Sequence, residues 1–281
     1  MGEKRGPTLR GQWLGAQLRL RREAAKLTLK DAAEYLQRDP STVSRFETGV
    51  YPIRRPDLLA LLDLYHVTDQ RERDELFRLS EEAWQTGWWD RYAANVAVQM
   101  IDYIWLESRA RKIRSYQMVV PGLLQTRDYG EALIRAGDPV AAEAQITAWV
   151  EVRLARQQVL MRDEPVELKA IVDEVALRRQ VGGPAVMRQQ LHHLLAMMKR
   201  PNVEVRVLPF TAGAHASMSG TFEIFEMQAP YPDASYVENR AGAIYLEADD
   251  VELLDQAYDR LGSTALGPDE SAGMISALMK K

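Results

Sequence analysis

The 281-residue chain contains no cysteine. That excludes disulfides, thiolate catalysis and zinc sites of the cysteine type. There is no apolar run near the roughly 20 residues that a membrane span needs. The opening MGEKRGPTLRG carries charge with no apolar segment behind it. It does not read as a secretory signal, and residues 1–8 are expected to form a short mobile arm of a cytoplasmic, nucleoid-associated protein. GxGxxG, P-loop, HExxH and GxSxG motifs are absent.

The four histidines do not fill that gap. His192 and His193 are adjacent, so on a helix they point about 100° apart and chelate one ion poorly. His66 falls at a helix end, where it suits the macrodipole. His215 lies in the small-residue loop TAGAHASMSG with no acid–base constellation readable around it. The expectation is a protein that is not an enzyme, with no catalytic residue, cofactor or metal.

What is present is an ordinary apolar share, 46%, enough at this length to bury a core without staples. The length suggests about two domains. Charge is distributed unevenly. Residues 1–56 hold 12 Lys and Arg against 6 Asp and Glu, a surplus of +6, whereas the remainder carries −10. A basic end on an acidic chain is the footprint of a DNA-binding module joined to something else.

Within that basic end, Thr28 to Gly49 reads as two short helices joined by a tight turn. Thr28 is a helix N-cap with Asp31 three residues on. Ala32, Ala33 and Leu36 face inward, and small residues there admit a second helix. Asp39-Pro40 restarts the chain with an acceptor and a first-turn proline. Val43 and Phe46 then share an inner face. Ser41, Arg45 and Thr48 lie roughly opposite, flanked by Thr42 and Ser44. Gly49 suits a C-terminal cap. Small hydrogen-bonding groups plus one guanidinium suit a major groove.

The wider pattern Leu14-Gly15, Leu18-Arg19, Arg22-Glu23, Leu27-Thr28, Val43 to Gly49 and Pro52 resembles the XRE-type helix-turn-helix family over about residues 9–66. The resemblance implies DNA contacts from Thr28, Lys30, Pro40, Ser41, Thr42, Ser44 and Arg45. It also implies a structural ion pair between Arg19 and Glu47. Leu29 departs from the Gln common at that position, leaving Lys30 to supply a backbone contact. Arg54 and Arg55 follow the second helix, where a phosphate contact is geometrically easy.

The rest reads as follows. Leu58, Leu59, Leu61, Leu62 and Tyr65 close a small helical core, and a fifth helix runs from about Asp69 to Trp84. AWQTGWWDRY marks a boundary. Its tryptophans suit either a partner patch or interface packing, and packing is the commoner use. A helix is expected to about Ile113, then strands at SYQMVV, ELKAIVD, VEVRVLPF, GTFEIFEM and ASYVEN, with AIYLE as a further candidate. Helices are expected at 127–137, 139–161, 174–180, 184–199, 250–262 and 268–279. Arg153, Arg156, Arg162, Arg178 and Arg179 either line an anion pocket or pair with nearby acids, the usual role of Arg. Strands and helices intermix, so the fold expected is an N-terminal all-α, lambda-repressor-like domain of five helices plus a C-terminal α+β domain with one mixed sheet.

PGLLQT at 121–126 with Tyr129, Arg153 to Gln157, Glu174 to Arg178 before Val181-Gly182-Gly183, Val207 to Phe210 and Tyr236-Val237-Glu238 resemble the C-terminal domain of WhiJ-like actinobacterial regulators. That resemblance implies a signal-receiving domain and a small partner protein encoded nearby, in an antitoxin-like pairing. The expected organisation is arm 1–8, helix-turn-helix domain 9–84, Trp-rich connector 85–95 and regulatory domain 96–281. The expected function is transcriptional control at a double-stranded DNA operator, as a homodimer without membrane contact. The alternative is a repressor whose C-terminal domain binds an anionic or apolar small molecule.

Overall fold

The structure, a computed structural model, describes residues 7–84, 98–228, 231–239, 242–247 and 249–280. The expected connector 85–95, with Trp88 and Trp89, and residues 1–6 of the expected arm lie outside the described residues. The chain divides into two units, residues 1–93 with 97–102 and residues 94–96 with 103–281.

The first unit is helical: α1 (Leu9–Ala24), α2 (Leu29–Leu36), α3 (Pro40–Glu47), α4 (Arg55–Leu64) and α5 (Gln70–Trp84). Leu14 and Leu18, one turn apart on α1, are buried with Ala32 and Ala33 of α2 and Val43 of α3. The two alanines keep α2 thin enough for α3 to close against it. At the end of α2, Gln37 takes a left-handed conformation, φ 54°, and its N–H returns to Glu34 O at 3.1 Å. That turn reverses the chain into α3. Leu58, Leu61, Leu62 and Tyr65 are buried as expected, but Leu59 is exposed on the outer side of α4.

Two glycines let α1 and α3 meet. A Cβ on Gly15 would lie 2.4 Å from Glu47 O, and one on Gly49, where φ is +70°, would lie 2.5 Å from Gln12 N. Both distances are shorter than any contact a side chain tolerates, so these positions require glycine.

The expected pair of Arg19 with Glu47 is not formed. Arg19 is exposed and bonds Glu23, 2.8 Å away and four residues on. Glu47 is held instead by Arg22, with Nε–Oε1 at 2.6 Å and Nη2–Oε2 at 2.9 Å, both side chains buried. Arg22 follows Leu18 by one turn and inherits its inward direction, whereas Arg19 lies beside Leu18 on the outer flank.

The second unit follows: the rest of α6 (Val98–Arg109), β1 (Ala110–Gln117), α7 (Arg127–Gly137), α8 (Glu143–Arg156), β2 (Glu167–Asp173), α9 (Glu174–Arg178), α10 (Pro184–Met197), β3 (Val203–Leu208), β4 (Phe222–Met227), β5 (Ala234–Asn239), β6 (Gly242–Glu247), α11 (Asp249–Thr264) and α12 (Pro268–Leu278). One mixed six-stranded sheet has the order β3-β2-β1-β4-β5-β6. β1–β2 and β2–β3 pair in parallel, and the remaining neighbours are antiparallel. Tyr116 stands opposite Ile171 on one side and Phe222 on the other. These three and Ile224 form a core with Val251, Tyr258 and Leu261 of α11.

Several boundaries differ from expectation. The helix read as far as Ile113 ends at Arg109, and the strand read as SYQMVV is Ala110–Gln117. ARKIR is rich in helix formers, but β1 is an inner strand. Its Lys112 and Arg114 find Glu226 on β4, and Arg114 also reaches Asp255 of α11. Those cross-element partners override local propensity. The helix read over 139–161 is shorter at both ends, Glu143–Arg156, and gives way to a 3₁₀ turn.

Removing one partner of a buried ion pair strands the other and costs about 3–5 kcal/mol. Glu47→Ala and Arg22→Ala should therefore raise amide exchange across α1–α3 by at least about a hundredfold. Arg19→Ala, which removes only an exposed pair, should change it less than about fivefold. Equal sensitivity at Arg19 and Arg22 would contradict the pairing.

Candidate nucleic-acid interface

The outer face of α3 is assembled by the same packing that hides its inner face. Val43, Phe46 and Glu47 are buried, while Ser41, Arg45 and Thr48 are exposed and Thr42 and Ser44 half-buried. Asp39 caps α3, accepting from Ser41 N at 2.8 Å, and Pro40 occupies the first turn. The Ser41 hydroxyl and backbone hold the Asp39 carboxyl below the usual carboxylate range. Thr48 returns its hydroxyl to Ser44 O at 2.9 Å.

Arg45 is poised rather than free. Its Nη1 donates to the Tyr51 hydroxyl at 3.1 Å, and its guanidinium lies 4.9 Å from the centre of that ring. Tyr51 itself is nearly half exposed. It was not among the residues read as DNA contacts. An aromatic two residues after Gly49, just past the end of α3, is the signal that would have found it.

The flanking candidates divide. The Thr28 hydroxyl is consumed by a capping box, accepting from Asp31 N at 3.2 Å and donating to Asp31 Oδ2 at 2.7 Å. Lys30 is exposed on α2, and half-buried Leu29 precedes it. Arg54 is the exposed N-cap residue of α4. Arg55 is engaged: Nη1 donates to Glu81 at 2.8 Å and the guanidinium sits 4.7 Å over Phe77.

In the second unit the five grouped arginines do not form one pocket. Arg156 makes a bidentate pair with buried Glu107, at 2.7 and 2.8 Å. Arg178 pairs with Glu174. Arg162 donates to the Glu164 and Ser108 carbonyls. Arg153 bonds Gln125 and is lowered to about 10 by burial and then by the charge of Arg156. Beside them Tyr103 donates to Glu223 at 2.8 Å, and burial followed by the charge of Glu107 pushes Glu223 up to about 7.

The structure supplies neighbours for His215 that the sequence did not reveal. Tyr116 donates to Asp173 Oδ2 at 3.0 Å, and its oxygen lies 3.4 Å from His215 Nε2. Asp173 also caps α9 through Val175 N at 2.8 Å. Burial and Asp173 keep the Tyr116 hydroxyl protonated, and its contact with His215 fastens the 209–221 loop to the strand ends. Among the described residues no three His, Asp or Glu converge to hold a metal. No described helix is long and apolar enough to cross a membrane.

A helical unit that buries one face of α3 and presents the other defines a helix-turn-helix module. Residues 13–76 match the model of a helix-turn-helix domain. Residues 100–277 match a domain of unknown function (DUF5753), and the chain belongs to that family. No curated protein and no solved structure matches it significantly.

Asp31, like Asp39, is held below its ordinary range, by hydrogen bonds from the Thr28 side chain and backbone. A depressed carboxyl contributes stability above its unfolded value and loses it as pH falls through the folded one. The caps of α2 and α3 should therefore loosen below about pH 4. Amide exchange in these helices should rise there, and Asp31→Asn should flatten the response in α2. An unchanged pH profile in Asp31→Asn would remove the cap as its source.

Proposed function

We propose that this protein is an XRE-type transcriptional regulator, related to WhiJ-like proteins, that docks Pro40–Thr48 in the major groove of an operator. The observation that carries the reading is the division of α3 between the buried Val43, Phe46 and Glu47 and the exposed Ser41 and Arg45. Ser41, Thr42, Ser44 and Arg45 contact bases and phosphates. Lys30, Arg54 and Arg55 meet the backbone, Arg55 by exchanging an exposed pair with Glu81 that is worth little. Thr28 and Pro40 stand at the starts of α2 and α3 and border the DNA there without donating to it, because Asp31 takes the Thr28 N–H and proline has none.

The protein acts by binding, in the cytoplasm, as a homodimer with recognition helices on half-sites about 34 Å apart. Residues 9–84 read DNA, and 96–281 receive a small partner protein in an antitoxin-like pairing. The opposed charges of the two halves support that division of labour.

Arg45→Ala should weaken operator binding about 10- to 100-fold, the worth of one good side-chain contact to a base. Ser41→Ala should do so more mildly. Tyr51→Phe should cost less than Arg45→Ala, because it loosens the guanidinium without removing it. Footprinting and a salt titration read all three. Unchanged affinity in both Arg45→Ala and Ser41→Ala, or affinity insensitive to salt, would rule the reading out. Co-purification with the product of an adjacent gene tests the partner separately.

A further inference from the structure

The second unit contains a pocket of about 370 Å³, within the range of small-molecule sites. Its floor is apolar. Leu177, Met187 and Leu191 are buried there, and Leu278 and Met279 from the end of α12 close one side. Two of these five are methionines, whose unbranched chains adapt to varied apolar shapes.

Its rim is cationic. Arg178 and Arg188 both line it, and no carboxylate does. Arg178 is tied to Glu174. Arg188 is exposed, one turn beyond Pro184, and makes no ion pair or hydrogen bond among the described residues. Pro184, which opens α10, also lines the pocket. That helix starts from Gly183 at φ +90°, and no side chain caps it. Its first-turn N–H groups and the positive end of its dipole add to the arginines in favouring a negative group.

We propose that this pocket binds a small amphiphilic anion, a carboxylate on a short-to-medium alkyl body. The alkyl chain lies over Leu177, Met187 and Leu191, and the carboxylate meets Arg188 at the rim. The volume admits a small molecule and not a helix. The absence of acidic lining residues selects anion over cation. The inference is independent of how α3 reads DNA and gives the second unit a chemical input of its own.

Sodium octanoate is the probe, titrated into the full chain carrying ¹³C-methyl methionine and followed by NMR, with calorimetry for affinity. Saturable binding is expected, with shifts centred on the Met187 and Met279 methyls. Affinity should rise from butanoate to octanoate, by less than the roughly fourfold per methylene of complete burial, because the pocket is open on one side. Arg188→Glu should weaken binding at least tenfold while leaving the apo spectrum otherwise unchanged. Leu278→Trp should block the pocket from a partly exposed position, without touching the buried floor. The proposal is overturned if octyltrimethylammonium binds as well as octanoate, or if Arg188→Glu binds like the parent. Shifts at other methionines, or no saturation below the micellar limit, would overturn it as well.

Discussion

The helical unit depends on one buried contact, the bidentate pair of Arg22 with Glu47. A third guanidinium nitrogen donates to Leu27 O at 2.8 Å, so Arg22 ties the end of α1, the chain entering α2 and the end of α3 together. Its planar fork accepts a carboxylate in few orientations, which makes the pair a device for register more than for net stability. Tyr65 reports the surroundings. Burial, and after it the charge of Glu47, keeps its hydroxyl firmly protonated, as expected where water is excluded. The absent side chain at Gly15 then becomes a requirement, because α3 reaches Arg22 only by resting its last carbonyls on α1.

The second unit repeats this physics on a different scaffold. Glu107 of α6 and Arg156 of α8 form its buried bidentate pair, and the Arg156 guanidinium lies 4.6 Å over the Tyr103 ring. Burial works against the Arg156 charge, and Glu107 outweighs it. Glycine again leaves the room: a Cβ on Gly122 would sit 3.2 Å from Arg156 Nη2. Gln190, fully buried on α10, accepts from Thr126 N at 2.7 Å and donates to Leu124 O at 2.8 Å. PGLLQT is therefore held by side chains from two helices, which satisfies a loop that lacks a ladder of its own.

Legibility in the sequence followed the range of the interaction. Caps at Thr28 and Asp39 were readable because each acts within three residues. The inward faces of α2 and α3 were readable because helical period fixes them. The choice of Arg22 over Arg19 was readable only by half: helical period puts Arg22 one turn after buried Leu18, but Glu47 reaches it only through the approach of α3. β1 was misread for a related reason, since ARKIR becomes a strand through acids on β4 and α11 far along the chain. The order of the sheet and the meeting of Tyr116, Asp173 and His215 rest on the same long-range pairing, which no local pattern encodes. Of the candidate interface, the outward face of α3 was legible from its spacing, but the engagement of Arg45 by Tyr51 and of Arg55 by Glu81 was not.

An eight-residue helix is marginal alone, so the shape of α3 belongs to the unit around it. Asp39 fixes its start, Glu47 fixes its end, and Gly49 presses on α1 just beyond. Bending α3 to release DNA would break the Arg22–Glu47 pair and expose a charge to an apolar interior, at a cost of several kcal/mol. Moving the whole unit costs none of this. In a homodimer the two recognition helices must match half-sites about 34 Å apart, and a shift of a few ångströms between rigid units would unseat several contacts at once. The proposed control through the second unit is therefore best exerted on the spacing and availability of α3, with its outer face unchanged between the two states.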